Sequence, residues 1–222
     1  MSLDFNKITQ KYAEINDAIK SAVQEFRPEK PVRLVIVTKY VEADVISHLL
    51  NLGHRAFAEN RMQNAYKKWE NIKINYTDLE LHYIGRLQSS KINQVITLFD
   101  TIESVDSISL LKKLHEKISG QKEKRKFYIQ VNVGEEEQKN GVLPSNLSSL
   151  IQEAKTHGLS VDGLMCIPPY NTKPFLYFAF MNKLAKKFNI KELSMGMSND
   201  FITAIKFGAT EVRIGRAIFD LN

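Results

Sequence analysis

Arg33-Leu34-Val35-Ile36-Val37-Thr38-Lys39 is followed by Ala43-Asp44-Val45-Ile46-Ser47-His48-Leu49-Leu50, then by Gly53 and Arg55-Ala56-Phe57-Ala58. The first run is apolar and β-branched, as in a strand buried on both faces. The second carries its apolar residues at helical spacing, and the third is a short apolar run again. Gly53 stands where a left-handed residue would end the helix. A strand, a helix and a second strand so closely joined describe one βα unit followed by its parallel neighbour.

The same unit recurs along the chain. Strand-like runs are read at Arg33 to Thr38, Arg55 to Ala58, Leu81 to Gly85, Thr101 to Val105, Phe127 to Asn132, Val161 to Cys166, Glu192 to Gly196 and Val212 to Gly215. Helical periodicity is read between them, at Ala43 to Leu50, Arg61 to Ile72, Ser107 to Ile118, Leu147 to His157, Phe175 to Phe188 and Asp200 to Phe207. Gly158 and Gly208 punctuate later units as Gly53 does the first. Eight repeats of strand and helix predict an α/β fold, a single (β/α)8 TIM-type barrel filling residues 1–222 as one domain. A helix over Asp4 to Phe26 precedes the first strand and is expected to cover an end or side of the barrel. The alternative, an open doubly wound sheet, lacks its G-x-G-x-x-G turn, and no P-loop is present.

The 222 residues, 43% of them hydrophobic, suffice for one core, and no apolar run approaches the length of a membrane span. The N-terminal segment mixes acids into an amphipathic helix and does not read as a signal peptide, so a soluble, cytoplasmic protein is expected. Cys166 is the single cysteine, which excludes an internal disulfide and a multi-cysteine metal site; its setting, Gly163-Leu-Met-Cys-Ile-Pro-Pro169, suggests a buried, inert thiol. A net charge of +6 and a pI near 9.2 raise the question of nucleic acid. The densest basic run, Gln121-Lys-Glu-Lys-Arg-Lys126, has no interleaved aromatics to stack bases, so a solvated loop is expected there rather than a nucleic-acid contact.

Barrels carry their chemistry at the carboxyl ends of the strands. Lys39 ends the first apolar run, where partial desolvation would lower its amine pKa and make it nucleophilic toward an aldehyde. A lysine merely snorkelling at a strand end would occupy the same place. Ser194-Met195-Gly196-Met197-Ser198-Asn199-Asp200 passes from strand into helix with small residues, hydroxyls and backbone amides, features of an anion site. It could equally be a helix start capped by Ser198 or Asn199. Val212-Arg213-Ile214-Gly215-Arg216-Ala217 ends the last strand with a glycine and two arginines. Barrels often seat a phosphate in this region, and units one and eight are neighbours once the barrel closes.

The motifs Val35-Ile-Val-Thr-Lys39, Ala58-Glu-Asn-Arg-Met-Gln63, Leu81-His-Tyr-Ile-Gly-Arg-Leu-Gln-Ser-Ser-Lys91, Ser104-Val-Asp106, Ile129-Gln-Val-Asn132, Lys139-Asn-Gly141, Gly163-Leu-Met165, Ser194-Met-Gly-Met-Ser198 and Val212-Arg-Ile-Gly215 lie in collinear order. In this order the chain resembles, over nearly its whole length, the YggS/PROSC family of pyridoxal phosphate homeostasis proteins, which are similar in fold to the barrel domain of alanine racemase. The resemblance implies pyridoxal 5′-phosphate (PLP) as cofactor, held as a Schiff base on Lys39. Ser194, Met195, Gly196 and Ser198, with Ile214, Gly215 and Arg216, would hold the phosphate. Arg213 would face the pyridine nitrogen, Asn60 would lie near the ring, and His82 would support the floor, unless it is a packed strand histidine. The chain departs from the family pattern at Ala58, usually glycine, and Ser90, usually asparagine. Val41 stands where many relatives carry a second lysine, and Lys139 matches a family loop lysine that reads equally as a solvated charge.

Such a protein would bind PLP and pass it to PLP-dependent apo-enzymes without turning over a substrate, as a monomer with no nucleic-acid or membrane partner. The alternative is a PLP-dependent amino-acid racemase. Racemases of this fold take a second acid–base residue from an added β domain, and the chain ends at Asn222. A phosphosugar Schiff-base aldolase is the remaining enzyme reading.

Overall fold

The computed structural model describes residues 4–119 and 125–219. Eight parallel strands close a barrel in chain order: β1 Arg33–Val37, β2 Ala56–Glu59, β3 Glu80–Tyr83, β4 Thr101–Val105, β5 Lys126–Val131, β6 Gly163–Cys166, β7 Glu192–Ser194 and β8 Glu211–Ile214. The helices are α1 Phe5–Phe26, α2 Ala43–Asn51, α3 Met62–Asn75, α4 Ile92–Leu98, α5 Ile108–Ile118, α6 Leu147–Thr156, α7 Pro174–Phe188, α8 Phe201–Lys206 and α9 Arg216–Phe219. Every strand read from the sequence is present, with ends moved by up to two residues. Gly53, Gly158 and Gly208 all take positive φ, at 88°, 67° and 93°. Helix α4 is an addition to the segments read from periodicity. Residues 121–124 of the basic run fall outside the described residues, while Lys126 is exposed and pairs with Glu80 at 3.0 Å.

Alternation along the strands divides the core in two. Leu34, Ile36, Phe57, Leu81, Ile102, Ile129, Leu164, Leu193, Val212 and Ile214 join the helices in one large outer cluster. Inside the barrel the apolar fill is small: Val35, Ala56 and Ala58, flanked by Val37 and Ile84. Polar and charged residues are buried as well, among them His82, Glu103, Ser194, Glu211 and Arg213.

Helix α1 begins at Asp4, whose carboxylate accepts the Asn6 amide at 2.9 Å, and ends on Arg27 at φ 46°. It buries Ile8, Ile19 and Ala22 against the outside of the barrel, packing on α8, α9 and α2. Among the described residues the short α9 follows β8, and α1 packs on it and on α8 beside the seam where β8 meets β1. The seam is held by the pairs Arg33↔Glu211 through Ile36↔Ile214. Among the described residues no helix is long and apolar enough to cross a membrane.

Candidate cofactor site

Strand β1 delivers the chain into a tight turn at the barrel mouth. Val41 N donates to Thr38 O at 3.1 Å, which puts Lys39 and Tyr40 at the two central positions. Lys39 is half-buried, and its ammonium sits 4.7 Å from the centroid of the exposed Tyr40 ring.

A cavity beside this turn is lined by Val37, Lys39, Tyr40, Met197, Ser198, Arg213, Gly215 and Arg216. Units one, seven and eight therefore meet in one wall. The turn after β7 is tied to the start of α9, because the Ala217 amide donates to Ser198 Oγ at 3.2 Å. Neither Ser198 nor Asn199 caps α8. Its N-cap position is Asp200, whose carboxylate instead closes the turn by accepting the Met197 amide at 2.6 Å. The lining holds three cationic side chains and no acid, a composition that suits a phosphate.

Glycine is required once in this wall, at Gly215, and once just before it, at Gly196. Gly196 has φ 94°, and a side chain there would strike Ala204 and Phe201. A Cβ on Gly215 would lie 2.8 Å from the carbonyl oxygen of Val37, two residues before Lys39. Gly215→Val is thus expected to push the end of β1 and the Lys39 turn outward while the barrel stays folded. Overpacking of this kind costs about 1–3 kcal/mol, so equilibrium dialysis should give a Kd for PLP raised roughly 5- to 150-fold. Unchanged affinity in the folded variant would put the anion elsewhere.

The remaining residues expected at the site are placed less directly. Met195 and Ile214 are fully buried in the outer core, so only their backbones are available to a ligand. Asn60 ends β2 beside Gly85, half-buried and outside the lining of the Lys39 cavity. Lys139 also lies away from that lining, bonded to Pro168 O at 3.1 Å and paired with Glu136 at 2.7 Å. Cys166 is buried, and burial pushes its thiol up to about 12, with Arg213 only partly opposing the shift.

Arg213, 3% exposed, is fixed from below. Its guanidinium donates to Ser194 Oγ at 2.6 Å and to Cys166 O at 2.9 Å. The serine has one hydroxyl hydrogen, which it gives to Glu103 Oε2 at 2.6 Å. The other oxygen of Glu103 meets His82 Nδ1 at 2.7 Å. A carboxylate only accepts, so that nitrogen carries hydrogen. His82 Nε2 then faces Glu80 at 3.4 Å, and Arg33 binds both Glu80 and Glu211. Tyr128 adds a hydroxyl to Glu211 at 3.0 Å. The expectation that His82 supports the floor thus takes a specific form. It is one link in a polar column running from the amino ends of the strands up to Arg213.

Burial alone would pull His82 down, but its bond to Glu103, the charge of Glu211 and the contact with Glu80 push it up to about 9. Burial would raise Glu103; His82, Arg213 and Ser194 outweigh it and hold that carboxyl below its usual range. Three carboxylates, Glu80, Glu103 and Glu211, are thereby matched by Arg33, Arg213 and a protonated His82. His82, Glu103 and Glu211 bring ligand-type atoms within 4.8 Å of one another, as a metal site would, and here the two arginines stand close by with the positive charge.

Reasoning from strand ends did not find Arg33, Glu80, Glu103 or Glu211. The available signal was charge at alternate positions within strands: Glu80-x-His82, Thr101-x-Glu103 and Glu211-x-Arg213.

A parallel eight-stranded barrel with a lysine turn after β1 and a cationic wall at β7 and β8 is a barrel of the alanine racemase type, and the family model for the alanine racemase N-terminal domain matches residues 13–222. Within that class the chain belongs to the pyridoxal phosphate homeostasis protein family. It is 36% identical over 210 residues to the pyridoxal phosphate homeostasis protein of Aquifex aeolicus, covering 90% of this chain and 91% of that one. The structure of PipY from Synechococcus elongatus with PLP bound superposes with a TM-score of 0.75 at 31% identity, covering 90% of this chain and 99% of that chain. An alanine racemase from Clostridium difficile shares the fold, with a TM-score of 0.74 at 14% identity, covering 97% of this chain and 57% of the racemase.

Proposed function

We propose that this protein holds pyridoxal 5′-phosphate on Lys39 and serves PLP homeostasis, keeping the cofactor and passing it to PLP-dependent apo-enzymes. The observation that carries the reading is the single cavity wall joining Lys39 to Ser198, Arg213, Gly215 and Arg216. The names of the relatives and the PLP in PipY support it.

When bound, the cofactor supplies an aldehyde that condenses with an amine, forming a C=N bond and releasing water. Lys39 supplies that amine. Ser198, Arg216 and the backbone at Gly196 and Gly215 receive the phosphate. Arg213 would face the ring nitrogen and, because a guanidinium does not surrender its proton, would leave that nitrogen unprotonated. Ser194 and the Cys166 carbonyl hold it there. A ring so placed is a weak electron sink, which suits retention better than carbanion chemistry.

The racemase reading needs an acid–base group on the face opposite the lysine. The tyrosine in the wall, Tyr40, comes from the same turn as the lysine, its ring centroid 4.7 Å from the Lys39 ammonium. Want of a positioned proton donor costs about 100- to 10,000-fold in rate. The test is to load the protein, verify the absorption band at the visible edge, and incubate it with L-alanine and other amino acids. Chiral chromatography should find no D-isomer beyond that made by free PLP. Conversion that scales with protein and disappears in Lys39→Ala would establish the enzyme instead.

A further inference from the structure

A second lysine lies beneath the Lys39 turn. Lys68 is on α3 with 9% of its side chain exposed, and its partner Glu59, at the end of β2, is wholly buried. The Lys68 ammonium donates to Glu59 Oε1 at 2.6 Å, to Thr38 O at 2.7 Å and to Val41 O at 3.2 Å. Three protons meet three acceptors, which leaves this lysine no free donor. Glu59 Oε1 also receives Thr38 Oγ1 at 2.7 Å and Trp69 Nε1 at 3.2 Å.

The two carbonyls taken by Lys68 are those of the first and last residues of the turn that carries Lys39 and Tyr40. The turn has its own bond, Val41 N to Thr38 O. Lys68 grips both ends of it from α3, outside the cavity lining, and Glu59 anchors Lys68 and Thr38 together. A buried ion pair is weak grounds for stability, since a well-packed apolar pair often serves as well. What an apolar pair could not do is hold two backbone carbonyls at a set distance.

We propose that Lys68, anchored by Glu59, is a positioning residue that sets the Lys39 turn so that the Lys39 amine meets the aldehyde of PLP. The proposal rests on Lys39 being the attachment residue. In the step it serves, the neutral amine of Lys39 adds to the aldehyde carbon, the aldehyde oxygen leaves as water, and a C=N bond remains. Lys68 touches none of these atoms and acts through the backbone of residues 38–41.

The test compares two ligands on protein freed of cofactor. PLP has the aldehyde; pyridoxamine 5′-phosphate has the same ring and phosphate but no aldehyde. Two variants are used: Lys68→Met, and Lys68→Met combined with Glu59→Gln, which leaves no unpaired buried carboxylate. A misplacement of about 1 Å costs on the order of 100-fold in rate, so the visible-edge band should grow in roughly 100-fold more slowly with PLP. Pyridoxamine 5′-phosphate should bind both variants as it binds the wild type. Equal loss for both ligands, or variants that do not fold, would make the pair a structural support and overturn the proposal. Unchanged attachment would overturn it too. Failure of the underlying reading looks different: the wild type itself would then show no PLP-dependent band, or borohydride would leave no adduct on Lys39.

Discussion

Borohydride reduction of the PLP-loaded protein is expected to fix the cofactor on the peptide containing Lys39, and Lys39→Ala is expected to lose the visible-edge band completely. The choice among lysines follows from what each amine already does. Lys68 gives all three protons to protein acceptors, and Lys139 is paired with Glu136 on another loop. Lys39 is the lysine in the wall of the cationic cavity, beside Arg213 and Arg216, and no carboxylate lines that wall. Lys39→Ala leaves Ser198, Arg213, Gly215 and Arg216 in place, so residual non-covalent PLP binding should persist in dialysis while the band is absent. An adduct mapped to any other lysine, with the Lys39 peptide unmodified, would defeat the assignment.

The barrel was legible because its strands are short, β-branched and buried on both faces. Periodicity then had only to separate them from the amphipathic helices and find the glycines that end several of these. Helix α4 escaped because it is seven residues long and contains the β-branched Val95, Ile96 and Thr97; it packs against α3 and α5. The candidate site was legible at its turns, since Ser198 and Gly215, which the barrel brings beside Lys39, are residue types that strand interiors avoid. It was illegible in the lumen. Arg33 and Glu211 stand at opposite ends of the sequence and meet only because the barrel closes β8 onto β1. Glu59 and Lys68 fall nine positions apart across a strand end and a helix, a spacing that signals nothing until both are seen at the Thr38 carbonyl and hydroxyl.

Glu103→Ala is expected to cost about 3–5 kcal/mol, because it leaves His82 and Arg213 buried with one counter-charge too few. That is a large share of the roughly 5–15 kcal/mol that holds a domain folded. The cost should also depend on pH in a definite direction. Folding raises the His82 pKa from 6.5 to about 9, so the stabilisation is fully present below pH 6.5 and is lost as pH rises through 9. Integrated over that window the linkage is worth roughly 3 kcal/mol. Glu103 makes the strongest bond that raises His82, so in Glu103→Ala, with Glu211 and Glu80 left to oppose burial, the histidine is raised less and this slope flattens. Glu80 and Glu103 are held below their usual range, and their contributions are lost only on the acid side, outside the window. Cys166 is raised by burial and opposed by Arg213, with Glu103 not among its causes, so its effect cancels between the two proteins. Urea unfolding of both proteins without cofactor, from about pH 6 to about pH 9.5, should therefore show their stability difference shrinking as pH rises. A difference that stays constant across the range would mean that His82 is neutral in the folded protein and that the column beneath Arg213 is not the charged network described.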